Sequence, residues 1–266
     1  MLNIIRSLNY SARRDTVIWI TILTMLILPV FILFLAGILD GESLSNITPS
    51  VYFASQNMAT VFLFQCFAIM IFSSKLVASD AGDKTINYEF LAGHSRNRIF
   101  IGRMIAGIVW GAGLVFLLMI IPFVYLYLLN GWGPETDMGN VLIRCALVFF
   151  PILRICSLSI MLSCVSRSAG KGIALSYAIF MIVVLVTSIF QDLLEIKVTY
   201  STGMTNAEFL LVSENARYVI SEGRKIQLYD TAVTGEMVWK TISVSLIFSA
   251  LYLIIAYVNF KKKDRD

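Results

Sequence analysis

The sequence predicts an all-α membrane protein of six transmembrane helices, with an N-terminal interfacial helix and both termini in the cytoplasm. Three observations lead there. Of the 266 residues, 58% are hydrophobic and only 14% charged, where soluble domains carry about a quarter charged residues. The mean hydropathy is +0.80, and the apolar residues gather into six blocks, each long enough to cross a hydrocarbon core of about 30 Å as a helix. Lys and Arg are also unevenly shared between the two sides those crossings create. So little hydrophilic surface remains that nucleic-acid binders and soluble enzymes are excluded.

Residues 1–16 precede the first block. At helical period, Met1, Ile4, Ile5, Leu8 and Ala12 fall on one side of residues 1–14, and Asn3, Arg6, Arg13 and Arg14 on the other. This predicts a helix along the inner leaflet, its cations near anionic lipid. No short apolar region with a small-residue cleavage site precedes the first span, which is therefore read as a retained anchor. The spans are 17–39, 51–74, 104–129, 141–165, 173–190 and 238–260. In hydrocarbon every backbone polar group needs a partner within its own segment, so blocks of this length are helices rather than barrel strands of about ten residues.

Basic residues near span ends resist translocation. One side holds Arg6, Arg13, Arg14, Lys75, Lys84, Arg96, Arg98, Arg103, Arg167, Lys171, Lys261, Lys262, Lys263 and Arg265, against five on the other, and the first two loops of that other side carry Asp40, Glu42, Glu135 and Asp137 with no basic residue. The connector 75–103 is then cytoplasmic and the loop 191–237 extracellular. Within that loop Asn206 is expected to cap a short helix, with Phe209, Val212, Ala216 and Val219 on one side, ending at Gly223.

Several chemistries lack their residues. The single histidine, His94, and the absence of an H-E-x-x-H pattern remove the common zinc sites. Cys66, Cys145, Cys156 and Cys164 all fall inside spans and read as packing residues. Gly170-Lys171 is followed by Gly172, so no phosphate-binding P-loop occurs. None of the 17 Asp and Glu residues lies within a span by these boundaries, which removes the usual instrument of ion-coupled transport. Energy for any work must then come from another subunit.

The connector reads as the place that receives it. Ser79 or Asp80 can cap a helix whose first turn holds Asp80 and Asp83, where the dipole favours acids. Ile86, Phe90 and Leu91 form an apolar edge, and Gly93 ends the turn. An ordinary positive-inside loop would explain the same residues without a partner.

Lys84-Thr85-Ile86-Asn87, Gly93-His94-Ser95-Arg96, Ile99 and Arg103 before the third span resemble the corresponding loop of ABC-2 type transporter permeases. In that family an acidic residue precedes a Gly-Thr-Ile-(Lys/Arg)-Asn run, a Gly-x-Ser-Arg element follows, and a basic residue opens the third span. Asp80 stands in the acidic place, Lys84 replaces the glycine and Arg103 replaces the lysine. The amphipathic leader, six spans and the turn Ser166-Arg167-Ser168 fit the same plan, and the size is similar to permeases of bacitracin and lantibiotic resistance or immunity in Gram-positive bacteria.

The resemblance implies a plasma-membrane subunit paired with a second permease copy or paralogue and with cytoplasmic ABC ATPases. ATP and Mg would bind in those partners, and this chain would need no cofactor. It also implies that 80–90 is a coupling helix contacting the ATPase through Asp80, Asp83, Thr85 and Glu89, with Arg96, Arg98 and Arg103 anchoring the loop or reaching headgroups. The expected activity is export of a hydrophobic or amphipathic compound such as an antimicrobial peptide. The rival reading is a membrane scaffold whose inner loop binds a soluble partner.

Polar residues inside the spans complete the expectations. Arg154 sits about ten residues into the fourth span, where an uncompensated charge costs roughly 2.5–3.5 kcal/mol on insertion scales, so it needs a partner inside the bundle or an interface to reach. Gln56, Asn57 and Gln65 make the second span unusually rich in amides, as glue between helices or as lining of a translocation path. Gly107 and Gly111 form a G-x-x-x-G match that indicates close helix packing.

Overall fold

The computed structural model describes residues 2–40, 47–55, 57–78, 89, 91–166, 168–192, 198–221 and 224–262. The chain is mostly helical, and its helices in order are α1 (Leu2–Arg14), α2 (Thr16–Asp40), α3 (Pro49–Ala54), α4 (Asn57–Ala78), α5 (Arg96–Ile108), a π-helical segment (Val109–Leu114), α6 (Val115–Asn130), α7 (Met138–Leu147), α8 (Phe149–Ser166), α9 (Ala169–Asp192), α10 (Gly203–Leu211) and α11 (Gly235–Lys262). Between α10 and α11 lie two antiparallel strands, β1 (Glu214–Ser221) and β2 (Arg224–Asp230), with Ser221 paired to Arg224.

Five helical stretches among the described residues are long and apolar enough to cross a membrane: Asn57–Ala78, Arg96–Asn130, Met138–Ser166, Ala169–Phe190 and Gly235–Lys262. Leu2–Arg14 and Thr16–Ile32 pass the same test only as a pair bent by 67°, which makes up to six. The corner between them has a local cause. The Asp15 carboxylate accepts from the N–H of Val17 at 2.8 Å and caps α2, while its other oxygen is paired with Lys75 at the end of α4. Burial alone would raise the Asp15 pKa, but Lys75 and the Val17 and Ile18 N–H groups outweigh it and hold the carboxyl below its ordinary range.

Helices α4 and α8 form the centre, with α9 and α11 outside. Some 72% of the most apolar window of α4 is buried inside the protein, against 11% for α9, so α9 presents its apolar side outward. The termini meet at one end of the bundle. There Ile4 and Leu8 of α1 pack with Ile99 and Ala106 of α5 and Phe260 of α11. The face of α1 read as facing lipid is thus covered by protein, and Gly102 lets the two helices approach, since a Cβ there would stand 3.1 Å from Ile4.

Two breaks differ from the sequence boundaries. The second crossing is split, because Thr48 caps α3, Pro49 opens it, and it stops at Ser55, so α4 begins six residues later than expected and runs on to Ala78. The fourth is interrupted at Val148, three residues before Pro151, which has no N–H to offer the preceding turn. Gly107 and Gly111 prove to be packing positions within the chain. A Cβ at Gly107 would meet Val77 at 3.0 Å, and one at Gly111 would meet Cys156 at 3.0 Å and Ser73 at 3.3 Å.

Helices α8 and α9 approach closely, and a Cβ on Gly172 would lie 2.5 Å from Ser163 Oγ and 2.8 Å from its Cα. Backbone cannot yield there as a flexible side chain would. Gly172→Ala should therefore cost about 1–3 kcal/mol through overpacking, lowering the thermal unfolding midpoint. Gly170→Ala, with nothing within 4 Å, should leave it unchanged or slightly raised.

The segment expected to be one helix from Asn206 to Gly223 is instead helix and hairpin. Thr202 caps α10 through a capping box with Thr205, and Val212 turns extended at φ −101° and ψ 136°, ending the helix before the residues that form β1. Asn206, expected as the cap, is fully buried.

Candidate coupling and binding sites

Among its described residues the connector from α4 to α5 returns to the bundle through an ion pair. Glu89 Oε1 and Oε2 accept from Arg103 Nη2 at 3.0 Å and Nε at 3.2 Å. The Arg103 side chain is fully buried and that of Glu89 is 19% exposed, so a planar guanidinium fork grips a carboxylate largely out of water. Arg103 therefore ties Glu89, at the end of the connector, to α5 from inside the bundle. Its position explains this, because it is two turns into α5 and faces the bundle, whereas Arg96 and Arg98 on the first turn are exposed. The N–H of His94 donates to the Glu89 carbonyl at 3.3 Å, and Gly93 between them stands at φ +80°, a left-handed conformation suited to glycine. Asp80, Asp83 and Thr85 lie outside the described residues, as does Gln56.

The amides of the second crossing separate. Asn57 opens α4 and donates to Ser55 Oγ at 2.8 Å, satisfying the break between α3 and α4. Gln65 is fully buried inside α4, and among the described residues neither its Oε1 nor its Nε2 has a hydrogen-bond partner. An unsatisfied buried amide costs about 1–3 kcal/mol. Gln65→Leu should accordingly raise the thermal midpoint, and a lower midpoint would mean that the amide is bonded in the folded protein. The glue between helices is supplied elsewhere, by serines: Ser74 Oγ of α4 lies 2.9 Å from Ser159 Oγ of α8, which also accepts from Ser176 of α9 at 3.3 Å.

Arg154 lies inside the bundle, only 3% exposed. Its Nη1 donates to the Tyr200 carbonyl at 3.1 Å and its Nη2 to the Ser201 carbonyl at 2.5 Å, while Phe248 of α11 stacks 4.1 Å from its Cζ. The segment after α9 therefore reaches in to meet it, and Gly203 makes this possible, since a Cβ there would come within 2.9 Å of Ile155. One residue escaped the sequence reading. Arg144 of α7 donates to the carbonyls of Val212 at 3.0 Å and Ala232 at 3.1 Å, gripping the other end of the same segment. Asn206 ties its middle to α11, accepting from Thr241 at 3.2 Å and donating to Ser245 at 3.5 Å. A second Arg within an apolar block, ten residues before the first, was the available signal.

Between Arg154 and the serines lies a cavity of about 170 Å³, bounded by α8, α9, α11 and the start of α10. Among the described residues no group of three or more His, Cys, Asp or Glu is placed to hold a metal ion.

No individual curated protein matches the chain. The family model for the ABC-2 family transporter protein matches residues 10–265, which takes in the connector, the ion pair that anchors it, every candidate crossing from α4 onward and the segment held by Arg144 and Arg154. The chain therefore belongs to the ABC-2 family, whose membrane components are the permeases of ABC transporters.

Proposed function

We propose that the chain is the permease of an ATP-driven exporter in a Gram-positive plasma membrane, of the bacitracin or lantibiotic resistance kind. Two permeases, identical or paralogous, would share a pair of cytoplasmic ABC ATPases that bind ATP and Mg, and would move an amphipathic compound such as an antimicrobial peptide outward. The termini and the connector face the cytoplasm. Asp80, Asp83 and Thr85 face the ATPase, Glu89 serves to hold the connector to α5 through Arg103, and Arg96 and Arg98 meet headgroups.

The observation that carries this reading is the Glu89–Arg103 pair. A connector that merely hung in water would not bury a guanidinium to hold its end. With the fork in place, displacement of the connector pulls on α5 directly, and α5 carries α1 through the Gly102–Ile4 contact. Asp15 and Lys75 tie α2 to α4 at that same end, so several crossings move together.

Reconstitution with a P-loop ATPase, sought first among the neighbouring genes, tests the proposal. ATP-dependent efflux of a fluorescent amphipathic peptide is expected, and Asp80→Ala with Thr85→Ala should abolish it or uncouple it from hydrolysis while the crossings remain folded. Efflux by the chain without an ATPase, or labelling that places 79–90 outside the cell, would overturn it.

A further inference from the structure

The cavity beside Arg154 has the makings of a binding site. It is lined by apolar side chains, among them Ile155, Leu158, Ile179 and Val183, together with Ser201, Thr202, Tyr252 and one charged group, Arg154. Arg154 is the cation of a cavity that no acid lines among the described residues; its partners there, two carbonyls, the Phe248 ring and the Tyr252 hydroxyl, are neutral. Only two of the five N–H groups of a guanidinium are used on those carbonyls.

We propose that this cavity binds the anionic head and upper chain of a single-chain amphiphile, with Arg154 as counter-ion. Charge and volume select the class together. An apolar cavity of about 150 Å³ accepts a guest the size of benzene, so 170 Å³ takes part of one alkyl chain and excludes a two-chain lipid. A cationic guest would add a second positive charge where hydrocarbon surrounds the first. A small hydrated anion such as inorganic phosphate would give up its water for one guanidinium and a mostly apolar wall, whereas an amphiphile gains from burying its chain. The wall on one side is α9, whose Ile179 and Val183 are only half-buried, which places the site next to the outward side of the bundle. Ser201, Thr202 and Gly203 line it as well, so an occupant touches the segment that Arg154 holds.

This site does not depend on the pairing with an ATPase, and equilibrium binding to the full chain tests it separately from transport. The purified chain in phosphatidylcholine nanodiscs is titrated with radiolabelled dodecyl phosphate, with empty nanodiscs subtracted. One saturable site per chain is expected, at least tenfold tighter than for dodecanol or dodecyltrimethylammonium, and inorganic phosphate should not compete. Ile179→Trp fills the cavity from α9 without touching Arg154 and should weaken binding at least tenfold, and Val183→Phe serves as the second filling variant. Equal affinity for dodecanol and dodecyl phosphate in the unmodified chain would overturn the role of the charge. Undiminished dodecyl phosphate binding in a folded filling variant would overturn the location.

Discussion

Arg154→Leu is expected to destabilise the protein by about 3 kcal/mol and to expose residues 198–211 to protease. Two hydrogen bonds from a charged donor, each worth about 1.5–3 kcal/mol, and a ring contact worth about 0.5–2 kcal/mol are removed. Against this stands the relief of no longer holding a cation away from water, which keeps the net loss below the sum. The carbonyls of Tyr200 and Ser201 lose the donor that holds them and the segment has reason to leave. Arg154→Lys should recover only part of the loss, because a flexible ammonium lacks the rigid planar fork that holds two carbonyls at once. The measurement is the thermal midpoint together with the rate of cleavage within 198–211. A leucine variant as stable and as protected as the original would show that the carbonyls are held without the guanidinium.

Arg103→Met is expected to cost a similar amount, about 3 kcal/mol, by a different route. Removing one partner of a buried ion pair typically costs about 3–5 kcal/mol because the other charge is stranded. Here the Glu89 side chain retains 19% exposure and can recover some hydration, which sets the expectation at the low end. Arg103→Met with Glu89→Gln should be more stable than Arg103→Met alone, and the double-mutant cycle reads the coupling. In the reconstituted complex, Glu89→Gln should lower transport more than ATP hydrolysis, since it loosens the connector from α5. Additive stability losses would show that the two residues act independently.

The helices were legible because length and apolarity decide a crossing without reference to its neighbours. The partner of Arg154 was not, since it comes from backbone 46 residues away in sequence and carbonyls leave no mark on residue identity. Glu89 and Arg103 were both singled out, Glu89 as a contact to the ATPase and Arg103 as anchoring the loop or reaching headgroups, but not as each other's partner, because nothing in the spacing says that position 103 turns inward while Arg96 and Arg98 turn out. Phe209, Val212, Ala216 and Val219 keep helical spacing, yet Val219 pairs with Ile226 in a hairpin. The same run holds Tyr218, Val219 and Ile220, an aromatic and two β-branched residues that suit a strand equally well, and tertiary context chose between them. The apolar face of α1 was identified by periodicity, but whether lipid or protein covers such a face is not a property of the helix itself.

The wide π turns at Val109–Leu114 give the third crossing a mechanical character that a plain α-helix would lack. A uniform 35-residue rod from Arg96 to Asn130 would deliver torque applied near Arg103 undiminished to its far tip. The wider turns carrying Gly111 and Gly113, where the hydrogen-bond ladder is stretched to a rarer spacing, interrupt that rod between the half bearing Arg103 and the half bearing Tyr125 and Tyr127, and Gly111 seats the interruption against Cys156 and Ser73.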